Sequence, residues 1–150
     1  MPAVIAPIVD DDAPPTPHRL EKFHVVVNLR AGTALGMAAE DIERVVSAPF
    51  ASAGRAASIE CVAAEDVEQA FVRALASDID VLIVGGGDGT VRTAARHIIG
   101  TGKVLGILPL GTMNRLARDL EIPLSPHADA HFVAAEAEPR PMDAATVNGT

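Results

Sequence analysis

The residues best suited to chemistry form a glycine-rich run, GGGDGT (residues 85–90), directly after the apolar segment 81–84. Glycines let a ligand approach the main chain closely, and the free N–H groups at the start of a following helix attract anions. Asp88 would repel a phosphate there unless its carboxylate bound a metal ion, a ribose or water. The run therefore predicts an anion site. The alternative is a tight strand-to-helix turn capped by Asp88 or Thr90.

A second run with functional groups is PLGTMN (residues 109–114), which follows the apolar segment 104–108. Gly111 would permit close approach, while Thr112 and Asn114 supply a hydroxyl and an amide. Taken alone, the run is explained equally well by a helix cap at Thr112. Because a similar run already occurs at residues 85–90, ligand binding is the favoured interpretation.

The charges near these runs differ from those of the whole chain, whose formal net charge is -8. Arg92 and Arg115 fall in the first turns of the predicted helices, where the helix dipole disfavours a cation and a bound polyanion would offset the cost. The interval from Thr90 to Arg118 has no Asp or Glu but five cations: Arg92, Arg96, Lys103, Arg115 and Arg118. The acidic balance of the whole chain argues against a nucleic-acid partner.

Short apolar runs alternate with helical stripes along the chain. The strands are predicted near 23–28, 58–63, 81–84 and 104–108, and the first helix is predicted to end at Pro49. This order indicates an α/β fold, an open, mostly parallel sheet with helices on both faces. Ligands bind such sheets at the carboxyl ends of the strands, where both glycine-containing runs lie. We expect a flexible, acidic and proline-rich tail at 1–20 and one domain at 21–140.

The motifs GGGDGT and PLGTMNRLARDLEIP (residues 109–123) resemble the diacylglycerol kinase catalytic domain family, which includes bacterial lipid kinases and sphingosine kinases. The resemblance runs from about Phe23 to Thr150. It implies a nucleotide-binding domain like those of NAD kinases and phosphofructokinases. It also implies ATP-dependent phosphoryl transfer, with Mg²⁺, to a lipid hydroxyl. The nucleotide-binding residues implied by position are Asn28, Gly86, Gly87, Asp88, Gly89, Thr90, Val91, Arg92, Gly111, Thr112 and Asn114.

Asp88 is the one catalytic residue that the resemblance implies, positioning metal and nucleotide. The chain departs from the family pattern at Leu29, where Pro is usual, and at Arg92, where Asn is common. Family members continue into a second, β-rich domain that is expected to supply the general base. We therefore interpret residues 141–150 as the start of that domain and expect the isolated chain to be inactive. An NAD kinase-like small-molecule kinase and a non-catalytic nucleotide-binding module remain alternatives.

The expected partners are a nucleotide and a lipid acceptor at a membrane surface. No apolar run approaches the ~20 residues of a membrane span, and the N-terminus lacks the basic region of a secretory signal. We therefore expect a cytoplasmic protein whose membrane contact is peripheral, at the inner face. Apolar surface left exposed without the second domain would allow a homo-oligomer.

Overall fold

The computed structural model describes residues 20–32 and 34–121, together with the backbones of two short strands at 4–7 and 138–139. Its strands are β1 (Val4–Pro7), β2 (Phe23–Asn28), β3 (Ala57–Val62), β4 (Val81–Gly86), β5 (Val104–Pro109) and β6 (Glu138–Pro139). Its helices are α1 (Ala39–Ser52), α2 (Val67–Ala76), α3 (Asp88–Ile98) and α4 (Arg115–Asp119), with a 3-10 turn, Ala64–Asp66, leading into α2.

The strands form one sheet in the order β3-β2-β4-β5-β1-β6. The pairs β2–β3, β2–β4 and β4–β5 are parallel, whereas β1 runs antiparallel to β5. Consecutive parallel strands are joined through helices, as parallel pairing requires. The predicted α/β fold with a mostly parallel sheet is confirmed, and four predicted strands match the observed ones to within two residues at each end.

Apolar side chains cover both faces of the sheet because successive side chains of a strand point to opposite sides. On β2, Val25 and Val27 join a cluster with Phe50 of α1, whereas Val26 joins a second cluster with Phe71 of α2. All five side chains are at most 2% exposed. Helices therefore lie on both faces, as predicted, and the aliphatic runs are long because no strand face is left to water.

Three sequence-based boundaries need correction. Pro49 does not end α1, which continues to Ser52. A proline inside a helix loses one backbone hydrogen bond. Burial of Pro49 and of the neighbouring Phe50 offsets this loss. The run GGGDGT, expected to connect a strand at 81–84 to a helix after Thr90, is not a six-residue loop, since β4 includes Gly86 and α3 begins at Asp88.

The third correction concerns the tail expected at residues 1–20. Val4–Pro7 is a strand that pairs with β5 through Ala6 opposite Leu105 and Pro7 opposite Val104. The expected start of a second domain at 141–150 lies outside the described residues. No helix in the described part of the chain is long and apolar enough to cross a membrane.

Candidate functional site

Three connections meet at the carboxyl ends of β2, β4 and β5. The register places Val27 of β2 opposite Gly85 of β4, and Gly86 opposite Pro109 of β5, so the strands end at the same edge. Between these connections lies an open cavity with a volume of ≈ 390 Å³. It is lined by Asn28, Arg30, Ala31, Gly32, Gly87, Asp88, Gly89, Thr90, Gly111, Thr112 and Met113.

The glycines of this region differ in what the protein itself requires of them. A Cβ on Gly86 would come within 2.7 Å of the Thr90 side chain, and one on Gly111 within 2.4 Å of the Gly87 Cα. These glycines are needed for packing within the domain. A Cβ on Gly89 would meet nothing within 4 Å, although this residue lines the cavity. Among the described glycines that line the cavity, only Gly89 leaves the space beside the main chain open.

Asn28 links the end of β2 to the start of α3. Its Nδ2 donates to Thr90 Oγ1 at 3.2 Å, and its Oδ1 accepts the N–H of Arg30 at 2.9 Å. The Thr90 hydroxyl is thus held over the cavity and does not cap α3. Within the described residues no side chain caps α3, so the N–H groups of its first turn lie at the cavity without a side-chain acceptor.

Asp88 joins the first turn of α3 to the first residue of α4. Its Oδ1 accepts the N–H of Arg115 at 2.7 Å, which satisfies one of the orphan donors of α4. The carboxylate also sits where the dipole of α4 favours a negative charge. Its second oxygen has no partner among the described residues and remains available to a cation. Those residues contain no group of three or more metal-binding side chains.

The sequence that contains this edge matches a known protein family. The model of the diacylglycerol kinase catalytic domain covers residues 22–147. The chain belongs to this family. A protein named "Probable lipid kinase YegS-like" from Pseudomonas aeruginosa is 43% identical over 86 residues, 56% of this chain and 28% of its own length. A diacylglycerol kinase from Bacillus subtilis is 33% identical over 88 residues, 57% of this chain and 29% of its own.

A solved structure extends the likeness to the fold of the diacylglycerol kinase domain. The crystal structure of a diacylglycerol kinase from Bacillus anthracis aligns with a TM-score of 0.65 and 26% identity. The alignment covers 78% of this chain and 44% of that one. The chain therefore spans less than half the length of the relatives that it matches.

Most of the nucleotide-binding residues predicted from sequence line the cavity of this kinase domain. These are Asn28, Gly87, Asp88, Gly89, Thr90, Gly111 and Thr112. Four others do not line it. Gly86 belongs to β4, Val91 is a core residue with 4% exposure, Arg92 points to solvent from α3, and Asn114 is buried behind the loop.

Sequence reasoning missed Arg30 in this diacylglycerol kinase domain. Arg30 lines the cavity, is exposed, and its guanidinium has no partner among the described residues. The signal was a cation two residues after Asn28, in the loop that follows a buried strand. Met113 was also missed, and it lines the cavity with a side chain that is 56% exposed.

Proposed function

We propose that this domain supplies the ATP-binding part of a lipid kinase that transfers a phosphoryl group to a lipid hydroxyl. The observation that carries the proposal is Gly89, at the start of α3. It lines the cavity and leaves open space that none of the described residues fills. A glycine costs stability within a helix relative to alanine, and close approach of a ligand to the main chain would justify that cost here.

The polar groups around Gly89 suit the phosphates of a nucleotide. The uncapped N–H groups of α3 and the guanidinium of Arg30 would neutralise negative charge, while Thr90 and Thr112 offer hydroxyl groups. Phosphoryl transfer depends mainly on such positioning and neutralisation, and a Mg²⁺ ion bound with the nucleotide would supply further positive charge. We assign the second carboxylate oxygen of Asp88 to that cation or to its bound water.

The acceptor is proposed to be a lipid hydroxyl at the inner face of a membrane, with the protein in the cytoplasm. Its basis is membership of the diacylglycerol kinase family. Asp88 is the only acid between Asp80 and Asp119, and one of its oxygens is already bound by the main chain of α4. A group that deprotonates the acceptor is therefore expected from outside the described residues.

The test is a calorimetric titration of the 150-residue chain with Mg-ADP, comparing the natural sequence with Gly89→Ala. Alanine favours the helix and should raise the melting temperature by about 2 °C. Its methyl group would occupy the space of the phosphates and weaken binding by about 100-fold or more. A more stable chain that no longer binds supports the site. Equal binding by both proteins, or no binding by either, would contradict it.

A further inference from the structure

Asn114 is the buried polar side chain of the β5–α4 connection. It is 7% exposed and has left-handed backbone angles, φ 48 and ψ 49. Its amide binds both polar groups of one residue. Oδ1 accepts the N–H of Gly111 at 2.9 Å, and Nδ2 donates to the Gly111 carbonyl at 2.7 Å. If the amide were reversed, Nδ2 would face the Gly111 N–H, donor against donor, and Oδ1 would face the Gly111 carbonyl, acceptor against acceptor. The orientation is therefore fixed.

These bonds leave Asn114 little capacity to bind a ligand directly. It also does not cap its own helix. Its side chain folds back over the preceding loop, while the first N–H of α4, that of Arg115, is accepted by Asp88. That loop carries Gly111, Thr112 and Met113, all of which line the cavity.

The residue held by Asn114 is the one that touches the neighbouring connection. Gly111 lies so close to Gly87 that a Cβ on Gly111 would be 2.4 Å from the Gly87 Cα. The position of Gly111 therefore contributes, beside the bond from the Arg115 N–H to Asp88, to how the β5–α4 loop meets the start of α3. A loop that visited several positions would present Thr112 correctly for only part of the time, and apparent affinity falls by that fraction.

We infer that Asn114 is a positioning residue for nucleotide binding and acts through Gly111 rather than by contacting the ligand. The inference rests on the proposed function, because it assigns a role within the same site. It replaces the direct contact that the family motif implied for Asn114.

The test uses Asn114→Gly, which keeps the left-handed backbone but removes both hydrogen bonds to Gly111. Glu121→Gly is the matched control, because Glu121 also has a positive φ, 57, and is exposed at the end of α4. Mg-ADP affinity is measured at a temperature at which circular dichroism shows each variant to be fully folded. We expect Asn114→Gly to lose at least about tenfold in affinity and Glu121→Gly to stay within twofold of the natural sequence.

Hydrogen exchange of the Gly111 amide, measured without nucleotide, separates positioning from general stability. It should become faster in Asn114→Gly, while the amides of β4 and β5 keep their protection. If that variant does not fold, Asn114→Asp replaces it. The carboxylate still accepts the Gly111 N–H but repels the Gly111 carbonyl, so affinity should fall while the amide stays protected.

Two results would overturn the inference: affinity in Asn114→Gly within threefold of the natural sequence, or unchanged exchange at Gly111. In the aspartate variant, undiminished affinity would do the same. Failure of the natural chain to bind Mg-ADP would instead contradict the proposed function, and the exchange of Gly111 would still report on the bonds from Asn114.

Discussion

Charged groups at the two ends of the sheet differ in whether they are bonded within the protein. At the amino ends of the strands, Asp80 accepts the N–H groups of Glu21 and Lys22, each at 2.9 Å. The Asp80 carbonyl accepts the N–H of Val104, and Lys22 pairs with Asp78. These contacts tie the beginnings of β2, β4 and β5 to one another. Charge at this end is used within the protein.

At the carboxyl ends the charged groups are only partly used. The guanidinium of Arg30 and one oxygen of Asp88 have no partner in the described part of the chain, and both line the cavity. The comparison teaches that the amino end holds the fold together, whereas the carboxyl end keeps charge available for a ligand.

The largest effect is expected in an assay for catalysis at the carboxyl end of the sheet. The 150-residue chain is given ATP, Mg²⁺ and mixed diacylglycerol and sphingoid acceptors, beside the Bacillus subtilis diacylglycerol kinase. Because the described cavity offers Asp88 as its only carboxylate, we expect turnover about 1,000-fold or more below that relative. Comparable turnover would show that this chain holds a complete active site. The proposal that the deprotonating group lies outside the described residues would then be wrong.

Arg30 sharpens the comparison at the carboxyl end. Loss of an unpaired cation that faces phosphates should weaken Mg-ADP binding by about tenfold in Arg30→Ala, and less at high salt. Arg96→Ala is the matched control. It removes the same positive charge from the chain as Arg30→Ala, but Arg96 already pairs with Glu68 on α2. Calorimetry at two salt concentrations measures both. Equal losses in the two variants would mean that overall charge, and not the position of Arg30, governs binding.

Asp80 tests the amino end and should give the smallest effect. Burial would raise the pKa of Asp80, but hydrogen bonds from the main chain at Glu21 and Lys22, with nearby lysines, lower it overall. Because this pKa is lowered on folding, the stabilisation is present above the ordinary carboxyl pKa and is lost as pH falls through the folded value. Asp80→Ala should reduce the free energy of unfolding by about 1 kcal/mol at pH 7.

The measurement for Asp80→Ala is urea unfolding at several pH values. The difference from the natural sequence should shrink as pH falls below about 4. Mg-ADP affinity should remain unchanged, since Asp80 lies at the opposite end of the strands from the cavity. A large loss of affinity with unchanged stability would reverse the roles assigned to the two ends.

Local sequence was sufficient to predict the four parallel strands β2 to β5 and the connections that meet at their carboxyl edge. Uninterrupted aliphatic runs such as 81–84 mark strands buried on both faces, and glycine after such a run marks a close approach. It was insufficient to distinguish Gly89 from Gly86 and Gly111. That distinction depends on which side chain or main chain lies opposite, and the opposing residues come from other parts of the chain.

The same limit explains Asn114 and Pro49. Nothing in the neighbouring residues shows that the amide of Asn114 turns back to Gly111, because an Asn directly before a helix would ordinarily be expected to cap it. The helix that continues past Pro49 is likewise supported by burial of Phe50 against the sheet, which is a tertiary effect. Propensity fails where packing compensates for it.

The contact between Gly87 and Gly111 also restricts how the sequence can change over time. A Cβ on Gly111 would lie 2.4 Å from the Gly87 Cα, so Gly111 cannot be replaced while the two connections keep their separation, whereas a Cβ on Gly87 would lie 3.2 Å from the Gly111 Cα and would need only a small shift. Selection should therefore reject substitutions at Gly111 more strongly than those at Gly87, whereas a Cβ at position 89 meets no described residue within 4 Å. If related domains ever lost the ligand, Gly89 would be the first of these glycines to be substituted. Gly87 and, above all, Gly111 would persist longer, because the fold itself constrains them.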